Sequence, residues 1–79
     1  MKITSVHFEI LSRVNALGPH EAVQSSVLPH IPKETVNFAI SDLADAGLVN
    51  AVKSRSGDGT WIATEITSKG HHYLKDHEQ

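Results

Sequence analysis

Lys33-Glu-Thr-Val-Asn-Phe-Ala-Ile-Ser-Asp-Leu-Ala-Asp-Ala-Gly47-Leu-Val49 is the stretch whose reading decides the fold. Pro32 opens a helix that reaches about Ala46, and Gly47 supplies the left-handed residue that ends it. Counting 100° per residue from Val36 puts Ala39, Ile40 and Leu43 on one side, which predicts a buried stripe. The opposite side carries Glu34, Phe38, Ser41, Asp42 and Asp45, with Asn37 on its shoulder. One aromatic ring is therefore expected in the middle of a polar, acidic face. From Leu48 the period changes from helical to two, so a strand follows almost at once.

Upstream, Val6, Ile10, Val14 and Leu17 form an apolar stripe over Thr4 to Leu17, with Thr4 or Ser5 as N-cap. Gly18-Pro19 breaks that helix and opens a second, shorter one over Pro19 to Leu28, which Pro29 stops. Downstream, strands are predicted over Leu48–Ser54 and Thr60–Ile66, with Ile62, Thr64 and Ile66 on one face. The polar run Ser54-Arg-Ser-Gly-Asp-Gly59 is a hairpin loop between them. Thr67 caps a closing helix over Ser68–Asp76, with Tyr73 or Leu74 facing inward. The predicted core draws on Val6, Ile10, Leu11, Val14 and Leu17, then on Val23, Val27 and Ile31. It continues with Val36, Ile40, Leu43, Leu48, Val52, Ile62, Ile66 and Leu74.

The predicted order is helix, helix, helix, strand, loop, strand, helix: mainly α with a small β-hairpin (α+β), one domain over residues 1–79. Two helices joined by a very short connection have the form of a helix-turn-helix, and a hairpin directly after them makes it winged. The Lys33–Val49 segment resembles the third-helix segment of winged-helix transcriptional regulators of the MarR and PadR types. Ile66-Thr-Ser-Lys-Gly70 with Tyr73-Leu74 is similar to the leucine-threonine-x-x-glycine run that follows the wing in those families. The resemblance implies a winged helix-turn-helix with a three-helix core, a two-stranded wing and a short C-terminal helix. It further implies a regulator of transcription that binds double-stranded DNA, with the third helix in the major groove and the wing on the backbone.

Carried over by position, Thr35, Asn37, Phe38 and Ser41 are expected to face the groove. Asn37 is the best base reader of these, since its amide can fork onto adenine N6 and N7. Lys33 near the helix start, and Lys53 and Arg55 in the wing, are placed for phosphates, with Arg55 also suited to a narrow minor groove. Against this, Lys33 is the one basic residue on a helix that carries Glu34, Asp42 and Asp45. DNA affinity comes largely from counterion release by basic contacts, and this helix forgoes that contribution. The alternative is a winged-helix protein-interaction module in which Glu34, Phe38, Asp42 and Asp45 dock a protein, as an assembly subunit or as a DNA-mimicking inhibitor.

Composition narrows the remaining classes. The chain has 79 residues, 39% hydrophobic and 20% charged, and a formal charge of −2. It has no cysteine, which excludes disulfides, Cys-ligated zinc and thiol chemistry. No apolar run approaches the ~20 residues of a membrane span, and no signal peptide is discernible, so a cytoplasmic protein is expected. Neither a Ser/His/Asp arrangement nor a paired carboxylate stands out, and no enzymatic activity or cofactor is expected. Of six histidines, His72 shares a helical face with Asp76, but no third spaced ligand accompanies them and no metal is expected. Trp61 is read as a hairpin residue packing on the domain, with stacking against a base or a partner as the alternative. The compact size is of the kind common in bacterial and phage genomes, and a homodimer through the first and last helices is expected from so small a core.

Overall fold

The computed structural model of the protein describes residues 3–55, 57 and 59–77. Three α-helices and one antiparallel hairpin account for its regular structure, in the order α1 (Ser5–Asn15), α2 (Lys33–Asp45), β1 (Val49–Lys53), β2 (Trp61–Ile66) and α3 (Ser68–His77). The core lies where the three helices meet the inner face of the hairpin, and Ile10, Leu11, Leu28, Val36, Ile40, Leu43 and Ala63 are all fully buried there. No helix among the described residues is long and apolar enough to cross a membrane.

α1 begins with a capping box. Thr4 Oγ1 accepts from the His7 backbone N–H, and the Thr4 N–H donates to His7 Nδ1 at 3.1 Å. α2 ends in a Schellman motif: Gly47 N–H donates to Ala44 O, and Leu48 N–H reaches back to Leu43 O at 2.9 Å. Gly47 sits at φ +76, the left-handed conformation the motif needs, and Leu43 and Leu48 are both buried beneath it. Lys69 Nζ adds a bond to Ala46 O, capping another free carbonyl of α2.

The threonine and glycine of the Ile66–Gly70 run have separate structural tasks. Thr67 caps α3 by accepting from Gly70 N–H at 3.0 Å, while its hydroxyl donates to Gly47 O at 2.6 Å. Gly70 is buried, and a Cβ there would collide with the Leu48 carbonyl oxygen and lie 2.9 Å from Ile66 Cγ1. The run thus welds the start of α3 to the turn that ends α2.

The expected helix over Pro19–Leu28 does not form. Gly18 to Glu21 make a tight turn in which Glu21 N–H donates to Gly18 O and His20 adopts φ +66. Val23 is then extended and exchanges two backbone bonds with Ala63, both 2.9 Å, on the edge of β2 away from β1. Only Ser25–Val27 curl into a single 3₁₀ turn. A ten-residue segment with a thin apolar stripe is a marginal helix, whereas pairing with β2 satisfies backbone groups and buries Val23 at once.

The hairpin faces also differ from a strict alternation. Val49 pairs with Ile66 and Asn50 with Glu65, but Ala51 pairs with Ala63, so Thr64 is an extra residue in β2. This bulge lets Ile66 and Ala63 both turn inward although they are three apart, and it undoes the expected Ile62-Thr64-Ile66 face. Ala63 is fully buried, Ile62 is only partly so, and Val52, opposite Ile62, is 55% exposed. Val27 is likewise exposed, and the core positions expected at Val27 and Val52 are taken by Leu28 and Val49. Val6, Leu17, Ile31 and Ile66 pack against the core while partly exposed. Leu74 is the inward residue of α3, and Tyr73 stacks on His77. Of the predicted loop, Ser56 and Asp58 lie outside the described residues, while Gly57 and Gly59 both take positive φ.

Candidate interaction surface

The buried stripe of α2 is Val36, Ala39, Ile40 and Leu43, so its opposite side is turned outward by the helical period alone. Phe38 lies on that outward side and is 71% exposed, with no place among the side chains that pack on the core. The hairpin rises beside it, and the two elements enclose an open cleft of about 450 Å³. Glu34, Asn37, Phe38 and Ser41 line it from α2; Gly59 and Trp61 line it from the hairpin.

Asn37 fixes the cleft's geometry. Its Oδ1 accepts the backbone N–H of Trp61 at 3.1 Å, which ties the first residue of β2 to the middle of α2. Because only the amide oxygen can accept, this bond also sets the orientation of the amide and leaves its NH₂ end as the donor. Trp61 packs partly on the core, as its sequence position predicts, and also lines the cleft together with Phe38. At the hairpin end, Ser54 N–H donates to Thr60 O at 2.8 Å, closing the ladder just before Gly59.

The residues expected to read DNA separate in space. Asn37, Phe38 and Ser41 meet in the cleft, joined there by Glu34 from the acidic set. Thr35 is exposed outside it. Lys33 borders a different depression, with Ser25, Ser26 and residues 29–32. Lys53 and Arg55 are exposed on the hairpin, Lys53 directly opposite Trp61 in the register.

The acidic set separates as well. Asp42 is not a free member of the outward face: its Oδ2 lies 3.1 Å from Nε2 of the buried His7. Thr4 N–H occupies His7 Nδ1, so Nε2 carries the proton and donates to the carboxylate. Asp45 is exposed and borders a shallow depression at the far end of α2 with Asp42, Ala46 and Lys69. The carboxylate that remains in the cleft is Glu34.

The candidate site residues drawn from the sequence include neither Gly59 nor Trp61, although stacking on a partner is the alternative reading of Trp61. A tryptophan opening a strand gives no hint that a helix residue 24 positions earlier will hold its backbone. His72 and Asp76 are both exposed on α3, and among the described residues no three His, Asp or Glu side chains converge as a metal site requires.

No curated protein matches the chain. Residues 8–79, spanning all of the fold except the start of α1, match the model of the family described as "Hypothetical protein (DUF2513)", and the chain belongs to that family.

Proposed function

We propose that this is a winged-helix domain that binds a protein partner through the face formed by α2 and the hairpin. The winged-helix reading is supported by the hairpin that follows α2 directly and by the isolated bridge of Val23 to Ala63 on the outer edge of β2, with the single 3₁₀ turn Ser25–Val27 standing where the second helix of a winged helix-turn-helix is expected. The observation that carries the functional reading is the cleft itself: an exposed phenylalanine and a tryptophan wall, with the Glu34 carboxylate beside them. Exposed aromatic anchors of this kind dominate protein interfaces. Acidic side chains beside such an anchor repel phosphate and attract a basic protein surface.

Double-stranded DNA is the second reading, favoured by the exposure of Lys53 and Arg55 on the hairpin. In it Lys33, Lys53 and Arg55 contact phosphates, and Thr35, Asn37, Phe38 and Ser41 meet the major groove. Its weak point is Asn37, whose oxygen is already engaged by Trp61 N–H and would have to be shared to form an adenine fork.

Amide NMR of the full chain at low salt separates the two. Titration with poly-L-lysine is expected to shift the resonances of Glu34, Phe38, Ser41 and Trp61, while random-sequence duplex leaves them in place. Duplex-induced shifts at Lys33, Thr35, Ser41, Lys53 and Arg55 that vanish with added salt would overturn the docking reading and establish the other.

A further inference from the structure

We propose that the α2–hairpin cleft is an arginine pocket, in which a guanidinium group from another protein stacks against Phe38 and Trp61 and pairs with Glu34. The proposal rests on the docking reading above and names the chemistry of the partner.

Among the described residues lining the cleft there is no lysine, arginine or histidine; there are two aromatic rings, one carboxylate, one hydroxyl, one amide and a glycine. A phosphate or carboxylate ligand finds no positive charge here. A cation finds the two kinds of group that bind cations in water, aromatic residues and a carboxylate. Of the three acids of α2, Glu34 is the one in the cleft, and the exposed Lys53 and Arg55 stand on the hairpin outside its lining.

Arginine fits better than lysine on three counts. A guanidinium is planar and weakly hydrated, so it can lie flat on a ring while its in-plane N–H groups donate to a carboxylate. The ammonium of lysine is compact and strongly hydrated, and keeps its water at so open a site. The mixed lining also matches the donor pattern: Glu34 and the Ser41 hydroxyl accept, and guanidinium offers five donors in a fork. The Asn37 amide, oriented by Trp61 N–H, turns its donor end to whatever enters and suits a backbone carbonyl of the same segment.

The protein contains a single tryptophan, and it lies in this cleft, so its emission reports occupancy without a label. Hexa-arginine, hexa-lysine and hexa-citrulline, the last a neutral near-isostere of the first, are titrated into the full chain at low salt. Hexa-arginine is expected to bind about fivefold more tightly than hexa-lysine, with hexa-citrulline at background. Glu34→Gln and Phe38→Ala should each weaken hexa-arginine about fivefold or more, while Asp45→Asn, outside the cleft on the same helix, changes it less than about twofold. Glu34, Phe38 and Asp45 are all exposed, so these variants keep the fold, which circular dichroism checks.

Equal binding of the arginine and lysine peptides, with Glu34→Gln no worse than Asp45→Asn, would overturn the pocket while leaving a general basic-segment docking face intact. A salt-sensitive change in emission with random duplex alone, and none with any peptide, would overturn both. Self-association lost equally in Phe38→Ala and Arg55→Ala would reassign the occupant to the hairpin of a second copy, and no peptide-dependent change in emission would remove the pocket altogether.

Discussion

The backbone N–H of Trp61 donates to the side-chain oxygen of Asn37 at 3.1 Å, and this one bond holds the hairpin against α2 at the level of the cleft. It spans 24 residues of sequence and joins the two elements that carry the aromatic walls. Asn37 therefore acts first on the shape of the site. Asn37→Ala removes the acceptor and leaves a partly buried N–H without a partner, at a cost of about 1–2 kcal/mol. Asn37→Asp keeps an acceptor in the same place and should recover most of that stability. Urea denaturation measures both, and the tryptophan emission should red-shift in Asn37→Ala alone. If Asn37 were a base reader only, the two variants would be equally stable and equally defective in DNA binding.

His7 joins the start of α1 to α2 in a similar way. Its Nδ1 closes the capping box with Thr4, and its Nε2 donates to Asp42. Thr4→Ala loses the hydroxyl of the box and should cost about 1 kcal/mol. His7→Ala loses the box, the Asp42 contact and a buried ring, and should cost about 2–3 kcal/mol. His7→Gln retains the capping geometry, since Gln serves at that position of the box, and should fall between them. A double-mutant cycle with Asp42→Asn isolates the His7–Asp42 coupling, which should be under about 1 kcal/mol because Asp42 is half exposed.

Local signals in the sequence located most of the fold. Val36, Ala39, Ile40 and Leu43 sit on the buried side of α2 because a 3.6-residue period admits no other arrangement, and the same count turned Phe38 outward. Gly47 and Thr67 ended and began helices through bonds to residues within a few positions of themselves. What escaped sequence reading was decided by partners far along the chain. Val23 is extended because Ala63 is available to pair with it, 40 positions later in a strand whose register is itself set by a bulge. Asp42 left the acidic face because His7, on another helix, reaches it. The cleft was legible only in part for the same reason: Glu34, Phe38 and Ser41 share a helix face, but Trp61 joins them through a tertiary bond.

Two glycines separate conformation from space. Gly47 takes φ +76 with only Lys69 Cδ, at 4.0 Å, near its missing Cβ, so Gly47→Ala should cost about 1 kcal/mol, the left-handed penalty alone. Gly70 has helical geometry, but a Cβ would strike the Leu48 carbonyl, backbone that cannot rotate away. Gly70→Ala should therefore cost about 3 kcal/mol or more, although alanine is the better helix former. For a domain of this size that loss is a large share of the total stability. Urea midpoints of the two variants should rank in that order, and equal midpoints would contradict the close approach of α3 to Leu48.

The bulge at Thr64 makes the last prediction. With the extra residue in place, Val49, Ala51, Ala63 and Ile66 share the inner face, and Val52 pairs with Ile62 on the outer one. Val52→Thr exposes a hydroxyl to solvent that is already there, and its cost should stay within about 0.5 kcal/mol. Val49→Thr buries the same hydroxyl at a position 2% exposed, at a cost of about 2 kcal/mol. Deleting Thr64 brings Ala63 and Ile66 to a two-residue spacing, so a regular ladder keeps both on the inner face and preserves the Val23–Ala63 pairing. Backbone hydrogen exchange checks this: the amides of Val23 and Ala63 should stay protected in the deletion variant, and loss of their protection would show that the bulge itself is required. Equal costs for the two threonine substitutions would contradict the inner position of Val49 and the outer position of Val52.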